Sequence, residues 1–197
     1  IVYVSAGIYY EHIICSSKSL SLIGEDRETT IIDGAGSEFN ESVVKIDGMN
    51  VGMEFLMTGF TITNGVTTSG GGGIQIRSGN TDNESDNNII ITNMTIINNQ
   101  AHYGAGILIE RCSPIITNSI ISNNNTISNS NTTAWGGGGI EINGPESAPI
   151  LDKLVISDNT APWGGGIYVY GVGWPSMPEP IIKNCLIINN SSSEWGG

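Results

Sequence analysis

The chain has 197 residues, of which 39% are hydrophobic and only 13% charged, with 19 acidic residues against 7 basic ones and a formal charge of −12. That balance excludes nucleic acid as a partner, because phosphate binding needs clustered Lys and Arg to release counterions. No apolar run approaches the roughly 20 residues needed to cross a bilayer, so a membrane-spanning helix is excluded within this segment.

Short apolar segments begin at once. "IVYV", "HIIC", "LSLIG", "TIIDG", "VVKIDG" and "FLMTGF" fill the first 60 residues, each strand-like and each too short for a helix. From residue 61 the pattern becomes regular. "FTITNG" leads to "GGGGIQI" at 70–76, and the acidic insertion "NTDNESDNN" at 80–88 follows. "MTIINN" and "GAGILI" come next, then "PIITN", "SIISNN" and "GGGGIEI", then "PILDK", "LVISDN" and "GGGIYV". The chain closes with "PIIKN", "CLIINN" and "SEWGG".

Three signatures therefore recur: a glycine cluster running into G-I-x-I, a proline opening I-I-x-N, and an isoleucine followed three residues later by asparagine. Ile74, Ile107, Ile140 and Ile167 lie 33, 33 and 27 residues apart. The isoleucines of the third signature are Ile62, Ile96, Ile121, Ile156 and Ile187, and four of its copies end at Asn99, Asn124, Asn159 and Asn190. The first copy carries Gly65 instead. Within each signature the apolar residues alternate, so each reads as a short strand with one inward face.

Three strands in each repeat predict one coil of a single-stranded right-handed parallel β-helix, stacked at the interstrand spacing of about 4.8 Å. Residues 1–197 then form one all-β domain of six or seven coils, with less regular opening coils in 1–60 and the full repeat in 61–197. Stacking puts like on like, and the repeated asparagines are placed to form an amide ladder. Tyr103, Trp135, Trp163 and Trp195 each immediately precede a glycine cluster and are expected to form a column covering the glycine corner. Cys15, Cys112 and Cys185 match no metal-ligand spacing and read as buried thiols.

"SAGIYYEHIICSSKSLSLIGEDRETTIIDGAG" resembles the opening coils of secreted proteins with the pectin-lyase-like β-helix fold, and the later I-x-x-N and G-G-x-I elements resemble the repeats of chlamydial polymorphic outer-membrane proteins. The resemblance covers essentially the whole chain and implies a secreted or cell-surface protein. It does not imply one activity, since the fold hosts lyases, hydrolases, adhesins and fibres. The chain starts in a strand and stops at "WGG", so a longer parent protein is expected. Missing coils, or end-to-end stacking on a neighbouring molecule, would then cover the ends.

The leading expectation is a non-catalytic structural or adhesive module that presents loops or builds a fibre, with no cofactor. The alternative is a polysaccharide lyase or glycoside hydrolase of the pectin-lyase-like group, whose carboxylates would be drawn from Asp152, Asp158 and Glu141. His12 and His102 have no nucleophile partner in sequence and read as packed or solvated. Contacts to a polysaccharide or a cell-surface protein are expected at the exposed rings Tyr103, Trp135, Trp163 and Trp195, and at Tyr170 and Trp174 in the distinctive loop "VYGVGWPSMPE". Asp82, Glu84 and Asp86 alternate as calcium ligands do, but the turn glycine and the distal glutamate of a calcium loop are absent, which leaves a plain polar insertion as the first reading. Of seven N-x-[ST] sequons, those at Asn40, Asn83 and Asn131 lie in loops and are the better glycan acceptors.

Overall fold

The computed structural model describes residues 1–35, 40–49, 52–78, 88–128, 133–145, 147–171 and 177–196, with Met49 and Trp195 described by their backbone only. Among these residues there is no helix, and every strand pairing is parallel. The chain winds as a β-solenoid.

Three sheets run the length of the solenoid. The first holds Val2–Val4, Leu20–Gly24, Glu54–Thr58, Asn88–Thr92, Ile115–Thr117, Ile150–Asp152 and Ile181–Lys183. The second holds Gly7–Tyr9, Thr30–Asp33, Thr61–Thr63, Thr95–Ile97, Ile120–Ser122, Val155–Ser157 and Leu186–Ile188. The third holds Ile13–Ser16, Val44–Met49, Ile74–Ser78, Ile107–Glu110, Ile140–Asn143 and Ile167–Tyr170. In each rung but the last, which has no third-sheet strand among the described residues, the chain visits the three in that order, as the three signatures require.

Two features differ from the sequence expectation. A fourth sheet of short strands, Gln100–Ala101, Asn125–Thr126, Thr160–Trp163 and Ser191–Trp195, lies between the second and third sheets in the later coils. It went unseen because two of its four strands have only two residues, too few for an alternation to repeat from coil to coil. The solenoid also has about five turns rather than six or seven. The seven-stranded sheets include end rungs that have a neighbour on one side only.

Register follows chemistry. On the third sheet Val44, Ile74, Ile107, Ile140 and Ile167 are successive partners, and on the second so are Ile32, Ile62, Ile96, Ile121, Ile156 and Ile187. These stacks, with Met57, Ile91, Ile116 and Leu151 from the first sheet, form one continuous core. Cover by neighbours decides the burial: Ile156 is fully buried, whereas its partner on the last rung, Ile187, is 45% exposed.

The corners are built from asparagine. Asn93, Asn118 and Asn184 turn the chain from the first sheet to the second, and Asn64, Asn98, Asn123 and Asn189 turn it out of the second, all with φ between 50° and 59°. Asparagine tolerates this left-handed region better than other non-glycine residues. Lys153 and Asp158 occupy equivalent corners in one coil, at φ 54° and 58°. Thus the repeated Asn-Asn dipeptide carries two jobs: the first residue turns the corner, and the second enters the core.

That second asparagine forms the expected ladder. The Asn99 side-chain amide donates to Oδ1 of Asn124 at 3.0 Å, Asn124 to Asn159 at 3.0 Å, and Asn159 to Asn190 at 2.9 Å. Each Oδ1 also accepts the backbone N–H of the asparagine one coil earlier, and Asn99 accepts that of Gly65, where the ladder starts. The second amide hydrogen of each goes to an isoleucine carbonyl: Ile62, Ile96, Ile121 or Ile156. Asn99, Asn124 and Asn159 are fully buried, and so complete a set of partners is what makes their burial tolerable.

Candidate functional site

Outward-facing positions of the third sheet would ordinarily be wet. Here Gln75, Leu108 and Glu141, which are partners on successive rungs, are 5%, 0% and 4% exposed. Their cover is aromatic and arises at the glycine corner. Tyr103 lies over Gly70, where any Cβ would overlap its ring, and Trp135 and Trp163 meet edge to face at 5.8 Å and 81°. His102 stands between Tyr103 and Trp135, with ring centroids 6.0 and 6.5 Å away. Trp195 is the backbone partner of Trp163 on the next rung.

Hydrogen bonds hold the indoles still. Trp135 Nε1 donates to His102 Nε2 at 2.9 Å, which leaves the imidazole proton on Nδ1, 3.4 Å from the Ile127 carbonyl. Trp163 Nε1 donates to Glu194 at 2.8 Å. His102 is 6% exposed and acts as a packed spacer, as its sequence context implied.

A cavity of about 190 Å³ opens beside these rings, lined by Tyr103, Trp135, Glu141, Asn143, Tyr168 and Tyr170 with the Gly136 backbone. Tyr168 and Tyr170 alternate outward from one strand, their planes 24° apart and their centroids at 6.2 Å. Glu141 forms part of the cavity wall. Gly136, at φ 78°, has no Cβ because one would overlap the Glu141 carboxylate. The Gly137 N–H donates to Glu141 Oε2 at 3.1 Å. Burial pushes the Glu141 carboxyl up to about 7; Gly137 and Gly104 oppose that shift, and the charge of Glu110 adds to it. Glu110 itself pairs with Arg77 at 2.8 Å.

The structure brings four of the sequence-predicted ring residues, Tyr103, Trp135, Trp163 and Tyr170, to this one edge. It adds Tyr168, Glu141 and Asn143, which sequence reasoning did not assign to a binding surface. It does not gather the three candidate acids. Asp152 sits on the first sheet and accepts from Asn184, Asp158 turns a corner, and Glu141 faces out from the third sheet. Among the described residues no group of three His, Cys, Asp or Glu side chains is placed to hold a metal ion. Trp174, Asp82, Glu84, Asp86, Asn83 and Asn131 lie outside the described residues. Asn40 is exposed, and both ends of its amide bond Thr68. Cys15 and Cys112 are buried free thiols and Cys185 a partly buried one.

Comparison with known families now has a geometry to meet. Residues 153–170 match the family model described as the Chlamydia polymorphic membrane protein repeat. The chain is a β-helix repeat protein resembling polymorphic membrane proteins. The matched segment covers the half-coil from the Lys153 corner through Ile156, the ladder residue Asn159 and Trp163 to the outward-facing tyrosines of Ile167–Tyr170, and so contains one ladder asparagine and one glycine cluster. No curated protein and no solved structure matches the chain. Among the described residues no helix is long and apolar enough to cross a membrane.

Proposed function

We propose that the chain is a rigid, non-catalytic β-helix module of a secreted or cell-surface protein, which displays its aromatic edge and variable loops for adhesion. The observation that carries this reading is the unbroken amide ladder from Asn99 to Asn190. From Asn99 onward each coil is locked to the next by side-chain as well as backbone hydrogen bonds, which suits a rod that must hold its shape outside the cell. The repeat match to a family of membrane proteins supports the surface location.

One observation favours the enzymatic alternative. Glu141 is a buried acid held near neutrality, as the proton donor of a glycoside hydrolase is. Among the described residues, however, no second carboxylate lines its cavity. The two readings separate on incubation with a panel of acidic and neutral polysaccharides. The module releases no unsaturated or reducing ends, whereas turnover that vanishes in Glu141→Gln would replace the adhesive reading with a hydrolase.

A further inference from the structure

We infer that the cavity between Trp135 and Tyr170 is a binding subsite for a neutral pyranose residue of a surface glycan. This goes beyond the display role by naming a ligand class, and it rests on that role only in that the sugar is held and not cleaved.

The argument begins with what the wall offers. Trp135 is 45% exposed although its indole N–H is already spent on His102. Its polar edge is therefore satisfied within the protein, and its remaining exposed surface is hydrocarbon. Tyr168 and Tyr170 add two near-parallel rings whose 6.2 Å separation is too wide for face-to-face contact, so they form a staggered platform. Asn143 lines the cavity beside the two tyrosines. A surface of aromatic faces interrupted by an amide, phenol hydroxyls and one carboxyl complements a pyranose, which presents an apolar C–H face and a rim of hydroxyls. The platform is preorganised: Trp135 is pinned by His102, and Glu141 is held by Gly137.

Charge selects among sugars. Among the described residues the wall contains no cation, Glu141 lies in it, Glu110 stands close enough to repel Glu141, and the chain carries −12 overall. Uronates and sulfated sugars are therefore disfavoured. A quaternary ammonium ion would want the rings arranged as a box around a presented carboxylate. Here two of the rings are nearly parallel, and Glu141 Oε2 turns back onto a backbone N–H and is almost wholly buried. Neutral sugar fits this arrangement better.

The test uses the full chain and its tryptophan fluorescence, titrated to about 10 mM with a panel of neutral oligosaccharides, with oligogalacturonate, and with tetramethylammonium chloride. At least one neutral oligosaccharide binds, and Tyr170→Ala and Asn143→Ala each weaken it about tenfold, or roughly 1.4 kcal/mol. Both residues are partly exposed, so the variants should unfold at the wild-type denaturant midpoint. Lys45→Ala, outside the cavity, leaves affinity unchanged. Absence of binding across the neutral panel overturns the inference, as does binding indifferent to both cavity variants or confined to oligogalacturonate or tetramethylammonium. Cleavage of a bound sugar would overturn the non-catalytic reading while leaving the subsite in place, so the two failures are distinguishable.

Discussion

The Cβ that Gly106 lacks would lie 2.9 Å from the side-chain amide nitrogen of Asn124. The same relation links Gly73 to Asn99, Gly139 to Asn159 and Gly166 to Asn190. The glycine cluster and the asparagine signature, separate motifs in sequence, are therefore one device: the last glycine of each cluster leaves room for the ladder amide one coil later. Gly106→Ala should cost about 1–3 kcal/mol, because the new methyl also meets the Gly139 carbonyl at 2.5 Å and neither backbone nor ladder can retreat. A shift in urea midpoint checks this, and Gly52→Ala provides a contrast, because its Cβ would meet nothing within 4 Å and only the φ of 77° opposes it.

Removal of a ladder rung should be graded by position. Asn124→Ala strips partners from the Asn99 amide, from Asn159 Oδ1 and from the Ile96 carbonyl, all buried. The expected loss is about 3 kcal/mol or more, since each buried unsatisfied group costs about 1–3 kcal/mol. Asn190→Ala, on the half-buried last rung, should cost clearly less. Equal midpoints for the two variants would show that the ladder bonds contribute nothing beyond the sheets.

The Lys153 corner is the weakest link in its column. Its equivalents are Gly59, Asn93, Asn118 and Asn184, all at positive φ, and lysine has no side-chain reason to accept φ 54°. Lys153→Asn should stabilise the protein by about 0.5–1 kcal/mol, read as an increase in Tm. An unchanged or lower Tm would mean that the lysine makes a compensating contact.

Glu141 makes stability depend on pH. Its carboxyl is raised from an ordinary 4.5 to about 7 in the folded chain, so between those values the folded state holds a proton that the unfolded state has released. Stability is therefore full below about pH 4.5, falls as pH rises, and levels off above about 7. The loss from this group is about 3 kcal/mol at 1.36 kcal/mol per unit. Glu141→Gln should flatten that slope across pH 4.5–7 in denaturant titrations. A slope identical to wild type would show that the carboxyl is solvated in solution.

What sequence reveals here is whatever repeats along one strand. The stacks through Ile107 and Ile121 and the ladder through Asn124 were legible because their partners recur with the same neighbours. The short sheet was not, since Gln100–Ala101 and Asn125–Thr126 pair through backbone alone. Sequence offered Glu141 only as one of three candidate carboxylates and gave no sign of its burial, because the rings around its cavity, Tyr103, Trp135 and Tyr168, belong to three different coils. One signal was available: Leu108 occupies the same outward column, and an aliphatic residue there implies a covered face. The Asn-Asn dipeptide likewise showed its second residue as a ladder position but concealed the first as a left-handed corner.

The central claim is that successive coils lie in register with their asparagines bonded one to the next. Solution NMR tests it most directly, through hydrogen-bond scalar couplings from the backbone nitrogens of Asn99, Asn124 and Asn159 to the side-chain carbonyl carbons of Asn124, Asn159 and Asn190. The structure predicts all three couplings, with side-chain amide protons protected from exchange. Absent couplings, with those amides exchanging as fast as exposed asparagines, would contradict it.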